Sequence, residues 1–437
     1  MVYYFCETLN REELVVIYRQ EILQDISLFV SQPKAKFYDT LFLHLDLSQL
    51  RAIHAKTGRK SPKEALFCAF IVMKCEGFSQ ITDLVDYLNN NLLIAHYCGF
   101  DIMKPLPSYW TFDRFIRKLD NRILKDIMQS QVLNLVKLGI IDTSFIGLDS
   151  TPIAANTAHN NPKTFKRDKF KKENRPKADL DCGLGVRAAS NQHNEKNYEF
   201  YWGYKNHVLV DCITGLPIFE LTTPAQVADS SVALDILEQT DKFLSLQECA
   251  FLGDKGYDAK EIYNTVKTLY RGECFIPINK RGTKNHKLLP IGNPICDAGL
   301  AMLRDGTFSE HGRTRQKFCC PFKRTSHKND CPINHKAFKK GRNTGCTKYI
   351  TIPDDYRLSI NRDTTQFKSV YSLRTECERY NSRFKATGQE RLWVRNQKSA
   401  ENLNSIAHIS LLAVANAAVL IRKNGSYRSL KTLKRSA

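Results

Sequence analysis

The sequence predicts an α/β protein in which a mixed sheet follows a helical N-terminal region and is interrupted by a Cys- and Lys-rich insertion. Apolar residues recur at helical spacing up to about residue 135. Beyond that point, short apolar runs bounded by turn residues alternate with helical segments, a pattern typical of strands and crossover helices. A long stretch rich in Lys, Arg, Cys and Asn then separates these elements from two further helices.

The N-terminal residues 1–135 are predicted to form short helices joined by tight turns. Residues 61–64 (SPKE) have the pattern of a capping box with proline at the first helical position, and an apolar run follows them up to Gly77. Ser79 is placed to cap a second helix, and a third covers Trp110 to Lys118. Such helices suit either a helix-turn-helix DNA-binding unit or a bundle that does not contact DNA.

The central part of the chain is predicted to form the sheet. It contains an apolar run that ends in Asp149, a hairpin around residues 212–215, a helix over residues 230–242 and a strand that ends in Asp254. A further helix and the strand CFIPIN follow. This order of elements predicts a mixed sheet with helices packed against it.

The remaining segments complete the predicted organisation. A basic loop covers Lys163 to Lys177, and two strong helices cover Phe367 to Thr387 and Ser399 to Lys423. We therefore predict five units: a helical domain over 1–135, a first core part over 141–282, the insertion over 283–365, a second core part over 366–423 and a basic tail over 424–437.

The charge balance favours a polyanionic partner. The 65 Lys and Arg exceed the 45 Asp and Glu, which leaves a formal net charge of +20 and a pI near 9.3. Nucleic acid is the commonest partner of such a chain, and no basic amphipathic helix supports the alternative of a membrane surface. The apolar stretch Ile406 to Ile421 contains polar residues and is short for a bilayer span, so we expect a buried core helix there.

No signal peptide is recognisable at the N-terminus, so we expect a cytoplasmic protein. Its 14 cysteines are then expected to be reduced thiols or local metal ligands. Five cysteines and two histidines cluster in the insertion without a C-x2-C pair: Cys296, Cys319, Cys320, Cys331, Cys346, His327 and His335. A structural zinc ion and free thiols are both compatible with this cluster. The candidate zinc ligands are Cys296, Cys319, Cys331 and Cys346.

Two acids end predicted strands, where open α/β sheets place their ligands. Asp149 lies in GLDSTP and Asp254 in LGDKGYD, so each acid is surrounded by glycine and turn residues. Carboxylate oxygens from separate elements are the ligands that Mg²⁺ prefers. An acid in this position can equally be a turn or helix cap.

A third acid lies on a helix with a specific spacing of neighbours. At about 100° per residue, Tyr371, Arg374, Glu378 and Lys385 fall within roughly 60° of arc on one continuous helix. An acid between two cations can hold a metal ion while the cations contact phosphates. The alternative is a solvated face with Arg–Glu ion pairs. Glu376 points to another face and is rejected as the third acid.

The spacing Y-x2-R-x3-E-x6-K in residues 371–385 resembles the signature of DDE insertion-sequence transposases. Four further motifs agree in order: DSTP from Asp149, GYK with His207 and the turn TGLP at 214–217, TPA with Asp229, and GDKGY around Asp254. Together these motifs cover about residues 145–260 and 367–395. The helical N-terminal part resembles the family more loosely.

The resemblance implies an RNase H-like sheet and cut-and-paste chemistry on double-stranded DNA. It implies that Asp149, Asp254 and Glu378 bind two Mg²⁺ or Mn²⁺ ions, that Arg374 and Lys385 hold phosphates, and that Tyr371 supports that site. A homodimer on the element ends and target, in the nucleoid of a bacterial cytoplasm, is the accompanying expectation. The alternatives are an RNase H-like nuclease without strand transfer and a domesticated DNA-binding protein.

Overall fold

The computed structural model describes fourteen stretches of the chain: residues 3–4, 17–18, 30–43, 45–51, 62–164, 168–190, 196–279, 289, 291–310, 313–324, 331–333, 346–351, 356–420 and 428. After a two-residue antiparallel pair, β1 (Tyr3–Tyr4) and β2 (Ile17–Tyr18), the N-terminal part is helical, as predicted. Its helices are α1 (Pro33–Leu43), α2 (Ser48–Arg51), α3 (Lys63–Glu76), α4 (Ile81–Asn90), α5 (Leu92–Cys98), α6 (Tyr109–Lys118) and α7 (Asn121–Lys137).

The predicted helix starts need two corrections. Pro62 is the N-cap of α3 rather than its first helical residue, and Ser61 lies outside the described residues. Helix α4 begins after Gln80, one residue later than a cap at Ser79 would give, and its N-cap makes no side-chain hydrogen bond. Gly77 ends α3 as predicted, with a φ of 76° that favours glycine.

The central sheet is mixed and has six strands. These are β3 (Phe145–Ala154), β4 (Gly183–Ser190), β5 (Lys196–Asp211), β6 (Pro217–Pro224), β7 (Ala250–Gly253) and β8 (Glu273–Phe275). The long strand β5 pairs antiparallel with β3 on one side, and with β4 and then β6 on the other. Strands β7 and β8 continue the sheet in parallel from β3. The core order β6-β5-β3-β7-β8 confirms the predicted mixed sheet.

Helices connect the parallel strands, because a parallel pair needs a crossover. Helix α8 (Asp229–Asp241) precedes β7, and α9 (Lys260–Thr268) lies between β7 and β8. The predicted hairpin is formed by β5 and β6 around Gly215, whose φ is 68°. Strand β7 ends just before Asp254, as predicted. Strand β3 does not end at Asp149, because its pairing with β5 continues to Ala154, so this acid lies within the strand. The two strands lie side by side at the centre of the sheet.

The insertion contains a second, three-stranded antiparallel sheet that its sequence did not suggest. It consists of β9 (Leu303–Glu310), β10 (Arg313–Cys319) and β11 (Thr347–Thr351), with β10 in the middle. Arg, Lys, Thr and Gln occupy many positions of these strands, so the alternation of apolar and polar residues that identifies a strand is weak.

The C-terminal helices differ from the prediction in one respect. The predicted single helix over 367–387 is divided into α10 (Thr365–Ser372), α11 (Thr375–Phe384) and a π-helical turn at Lys385–Gln389. At the break, the Ser372 hydroxyl donates to the Ser369 carbonyl at 2.6 Å and the Thr375 hydroxyl donates to the Ser372 carbonyl at 2.8 Å. Such side-chain bonds compete with the regular helical pattern.

The last helix, α12 (Gln397–Leu420), is the central helix of the fold. By length and composition it could cross a membrane, and α3 and α4 would pass the same test jointly although a 100° bend separates them. Most of α12 (83% of its most apolar window) is buried inside the protein, as predicted for a core helix. Its buried Asn402 donates to the carbonyls of Ile116 and Leu119 at 2.7 and 3.0 Å, which joins α12 to α6.

A buried carboxylate joins the helical region to the sheet. Glu220 on β6 is fully buried and forms an ion pair with Lys125 on α7. It also accepts hydrogen bonds from Ser405 on α12 at 2.7 Å and from Asn206 on β5 at 2.6 Å. Burial works against ionisation, but the charge of Lys125, the electrostatic effect of His408 and the hydrogen bonds from Lys125 and Ser405 outweigh it and lower the pKa of Glu220.

The same network extends to helix α11. The Asn206 amide oxygen accepts from Nε2 of His408 at 2.8 Å, and Nδ1 of His408 accepts from the hydroxyl of Tyr380. Burial lowers the pKa of His408 to about 4, so its ring is neutral near pH 7 and has one donor and one acceptor nitrogen. Each member of the chain of hydrogen bonds therefore has a defined direction, from α11 through α12 to β5.

Glu220→Ala is expected to lower the free energy of unfolding by about 3–5 kcal/mol, because it leaves the Lys125 ammonium group largely buried without its carboxylate. Urea denaturation at pH 7 measures this loss. The matched control is Glu238→Ala, which removes an exposed ion pair with Lys242 and should cost about 1 kcal/mol or less. Equal, small losses for both variants would contradict the role given to the buried pair.

Candidate active site

Two of the three predicted acids lie next to each other at the centre of the sheet. Leu148 of β3 and Gly253 of β7 are register partners in the parallel pair. Asp149 follows Leu148 and Asp254 follows Gly253, so the acids stand at the same level on strands about 4.8 Å apart. The topology thus converts two acids separated by a long stretch of sequence into neighbours.

The loop that carries Asp254 is held by hydrogen bonds and by a buried ion pair. Oδ1 of Asp254 accepts from the Gly256 amide at 2.6 Å, which starts a short 3₁₀ turn. Asp258, whose side chain is fully buried, accepts from Nε and Nη2 of Arg357 at 2.6 and 2.7 Å and from the Asn279 amide at 2.6 Å. Because both ends of the turn are fixed, Asp254 has a defined position.

The third acid reaches Asp149 through an arginine on the same helix. Glu378 lies in the first turn of α11 with 59% of its side chain exposed, and it forms an ion pair with Arg374. Nη1 of Arg374 is 3.8 Å from Oδ2 of Asp149. The same oxygen accepts a hydrogen bond from Nδ2 of Asn381 at 3.0 Å. The Glu helix is therefore attached to the first acid at two points.

Sequence reasoning missed Asn381, although its spacing was informative. It lies three residues after Glu378, and residues three apart share one side of a helix. In the structure it donates to Asp149, which fixes one oxygen of that carboxylate and leaves Oδ1 with the Ser150 amide at 3.0 Å.

The electrostatics of Asp149 show that the three acids influence one another. Burial raises the pKa of Asp149 to about 6; Arg374 and the Ser150 amide oppose this rise, while Asp254 and Glu378 add to it. Like charges that share a site disfavour ionisation, and a bound cation relieves both burial and repulsion. The site therefore has the charge and the oxygen donors that a hard divalent ion requires.

Helix α11 approaches the sheet closely because β3 contains a glycine. A Cβ atom at Gly147 would lie 2.4 Å from the sulfur of Cys377 and 2.6 Å from that of Cys212. These two buried thiols are 3.9 Å apart and fill the space between α11 and the sheet. Cys377 directly precedes Glu378. The missing side chain at Gly147 therefore determines how closely the third acid approaches Asp149.

The other two residues of the signature lie on either side of the Glu helix α11. Tyr371 lies in the last turn of α10, where its ring stacks on Phe367 with 5.9 Å between centroids. Lys385 is exposed at the C-cap of α11, about 16 Å along the helix from Arg374 at the N-cap. The prediction of one continuous helix face for all four residues is wrong, because the helix breaks between α10 and α11.

Three acids near the site have other partners. Asp211 is buried and accepts from the Ile213 amide at 2.8 Å, within the hairpin turn. Asp229 forms an ion pair with Lys205 at 2.9 Å. Glu376 is paired with Arg379 and with Arg428. Each acid thus has a structural explanation, which agrees with its exclusion from the predicted triad.

The predicted zinc ligands are partly brought together. Cys296 and Cys346 belong to one buried cluster, but the third cysteine of this cluster is Cys320 rather than Cys319. Cys331 is buried, whereas His327 and His335 lie outside the described residues. Zinc binding by the set predicted from the sequence remains a prediction. In the described part of the chain, no three His, Cys, Asp or Glu side chains already surround a common point as metal ligands would.

Gly147→Ala is expected to push α11 away from the sheet and to cost about 1–3 kcal/mol of stability, as overpacked cores do. Cys377→Ala in the same chain removes the sulfur that the new methyl group meets, so the double variant should regain part of the loss. Urea denaturation of the two single variants and the double variant forms a complete cycle. Additive losses in that cycle would show that Gly147 does not control this contact.

The pKa of Asp149 is expected to respond to its neighbours in opposite directions. Asp254→Asn and Glu378→Gln each remove a like charge and should lower the pKa from about 6, while Arg374→Met should raise it. Carbon-13 NMR of carboxyl-labelled aspartate in metal-free protein measures the value, and Asp149→Asn identifies the resonance. A pKa that does not change in any variant would mean that the acids are not electrostatically coupled.

Comparisons with known proteins agree with this geometry. A family model described as a transposase DDE domain matches residues 140–413, which is more than half of the chain. A second model, described as a transposase domain (DUF772), matches residues 27–118 in the helical region. No match was found among curated proteins.

Solved structures with some similarity are also transposases. A piggyBac transposase synaptic complex with hairpin DNA has 11% sequence identity and a TM-score of 0.41, with 94% of this chain and 80% of that chain covered. A Mos1 transposase paired-end complex with the left transposon end has 12% identity and a TM-score of 0.17, with coverages of 57% and 70%. Family membership rests on the two family models. The chain belongs to the transposase DDE-domain family and is a DNA transposase.

Proposed function

We propose that this transposase cleaves DNA at the ends of an insertion sequence and joins them to target DNA, with two Mg²⁺ or Mn²⁺ ions held by Asp149, Asp254 and Glu378. The observation that carries the proposal is the convergence of these acids: two on adjacent parallel strands and the third attached to Asp149 through Arg374. Enzymes of this family use divalent metal ions, and all three donors are carboxylates, which suit hard cations.

Asp149 is the acid that connects the other two, because it lies beside Asp254 on the neighbouring strand and next to Arg374, the ion-pair partner of Glu378. The three acids would hold the ions, which would supply Lewis-acid stabilisation at the reacting phosphate. Nη1 of Arg374 lies 3.8 Å from Asp149, and Arg374 also forms an ion pair with Glu378, so it supplies positive charge between these two acids.

The chemistry would be two displacements at phosphorus. In the first, a water oxygen bonds to the phosphorus at the element end and the bond to the 3′ oxygen breaks, which leaves a free 3′-hydroxyl. In the second, that hydroxyl attacks a phosphodiester of the target and a target 3′-hydroxyl leaves. The ions, when bound, would stabilise the charge on the attacking and leaving oxygens. The three acids would hold the ions in place, and the rigid turn at Asp254 limits how far these ligands must move during the reaction.

The signature cations would hold the DNA backbone at separate points. Arg374 and the exposed Lys385 lie at opposite ends of α11, about 16 Å apart along the helix, so they would contact different phosphates. Tyr371 has a side-chain hydrogen bond to Arg374 and would orient its guanidinium group. The formal charge of +20 supports binding of double-stranded DNA, both element ends and target.

The proposed assembly follows from the reaction, which acts on two DNA ends at once. Two element ends must be cut and joined together, so a homodimer formed on DNA is the natural unit, acting in the nucleoid of a bacterial cytoplasm rather than at a membrane. The rival function is cleavage without strand transfer, and an assay that follows both steps separates the two.

Asp149→Asn, Asp254→Asn and Glu378→Gln are each expected to reduce cleavage and joining by about 10³-fold or more, because each removes a metal ligand worth several kcal/mol to the transition state. The assay uses a labelled duplex that carries the element's own end, a supercoiled target and Mg²⁺ or Mn²⁺. DNA binding, measured by electrophoretic mobility shift, should remain within a few fold of the unmodified protein.

Glu376→Gln is the matched control, because it changes an acid on the same helix that is paired away from the site. It should retain cleavage and joining. An active Glu378→Gln would overturn the assignment of the third acid. Cleavage by the unmodified protein without joining would favour the nuclease, and binding without cleavage in either metal would favour a DNA-binding protein that has lost its activity.

A further inference from the structure

The insertion has a small core of its own at one end of its three-stranded sheet. Among the described residues, this core consists of Cys296, Met302, Phe318, Cys320, Cys346 and Ile350. Half of these buried side chains are thiols. A core of this size buries too little apolar surface to hold three strands by itself, and small units of this kind commonly depend on disulfides or a metal ion.

The three core cysteines come from three segments that meet at the same end of the sheet. Cys296 lies in a turn before β9, where its amide donates to the Leu300 carbonyl at 2.9 Å. Cys320 directly follows β10, and Cys346 directly precedes β11. The Cys320 amide donates to the Cys346 carbonyl at 2.9 Å, which brings these two residues together. Cysteines from the ends of separate strands are well placed to tie those strands together.

The strand geometry separates Cys320 from its neighbour Cys319. Successive side chains of an extended chain point to opposite faces, so Phe318 and Cys320 point into the small core while Cys319 points away from it. All five cysteines of the insertion are buried free thiols in the described structure. Cys296, Cys320 and Cys346 all belong to one buried cluster, which places the three thiols close to one another.

We propose that Cys296, Cys320 and Cys346, with Cys331 as the fourth ligand, bind one structural Zn²⁺ that closes this end of the insertion sheet. Cys331 is only 9% exposed and lies in the connection between Cys320 and Cys346. Four cysteine ligands form the tetrahedral set that zinc prefers at structural sites. Cys320 takes the place that the sequence pattern had suggested for Cys319.

Binding would change the charge and the positions of the thiols. Each thiol gives its proton to solvent, so four thiols and one Zn²⁺ form a complex with a net charge of −2 and release four protons. Lys348 is close enough to offset this charge, since its Nζ donates to the Ile295 carbonyl at 2.8 Å beside Cys296. The described side chains do not yet surround a common point, so the ion would draw the four sulfurs to about 2.3 Å from itself.

The experiment compares two adjacent cysteines in the full chain. Protein expressed with zinc in the medium is purified without chelator, and its zinc content is measured by inductively coupled plasma mass spectrometry. We expect about one zinc per chain in the unmodified protein and in Cys319→Ser. Cys320→Ser should lose at least about nine tenths of the zinc, and Cys331→Ser should lose most of it.

A second measurement covers the case in which Cys320→Ser does not fold. The unmodified protein is titrated with a mercurial that blocks thiols, and released zinc is followed with a colorimetric chelator. Cobalt substitution should also give the visible absorption of a tetrahedral thiolate site. No zinc in the unmodified protein, or equal losses in Cys319→Ser and Cys320→Ser, would overturn the proposal and leave the cysteines as core thiols. Neither result depends on Mg²⁺-dependent cleavage, so the proposed function is tested separately.

Discussion

The carboxylate of Glu220 is a charge placed where three parts of the protein meet, and its surroundings are arranged to satisfy it. Lys125 brings the helical region to it, Ser405 brings α12, and Asn206 brings the neighbouring strand. An unpaired charge in this position would cost several kcal/mol, so these elements can pack only in the relative positions that satisfy it. The buried charge therefore specifies how the helical region and the sheet are joined.

The position of the third acid also depends on Glu220, to which it is linked by a chain of hydrogen bonds between uncharged side chains. Tyr380 lies two residues after Glu378 and donates to His408, which in turn donates to Asn206. On its other side, α11 packs onto β3 where Gly147 leaves room for two thiols. The helix is thus fixed from both sides, and its exposed acid and arginine face Asp149. Rigid support of this kind is what a metal-dependent active site requires, because the ligands must not rearrange during the reaction.

Much of this arrangement could be predicted from the sequence. The strands that carry Asp149 and Asp254 were visible as apolar runs, and parallel pairing then brings the acids together. The continuation of β3 beyond Asp149 to Ala154 was not visible, because Ser, Thr and Pro follow the acid and it is the pairing with β5 that keeps them in the strand. The break between α10 and α11 could not be predicted, because it depends on two hydroxyl groups that bond to the backbone. The sheet of the insertion could not be predicted, because its strands are rich in polar residues and lack a clear alternation of apolar and polar positions. The choice between Cys319 and Cys320 depends on which side chains of β10 point into the small core, and composition does not reveal this.

Helix α12 has a consequence for the order in which the protein can be completed. Asn402 and Ser405 both accept hydrogen bonds from Asn121, and Asn134 donates to Asn416, although more than 280 positions separate the members of each pair in the sequence. The polar groups of α7 are therefore satisfied only once α12 has been synthesised. Contacts over such distances make folding slow. A nascent or truncated transposase without α12 would lack both the partners of α7 and the support of its third acid, so catalytic competence requires α12.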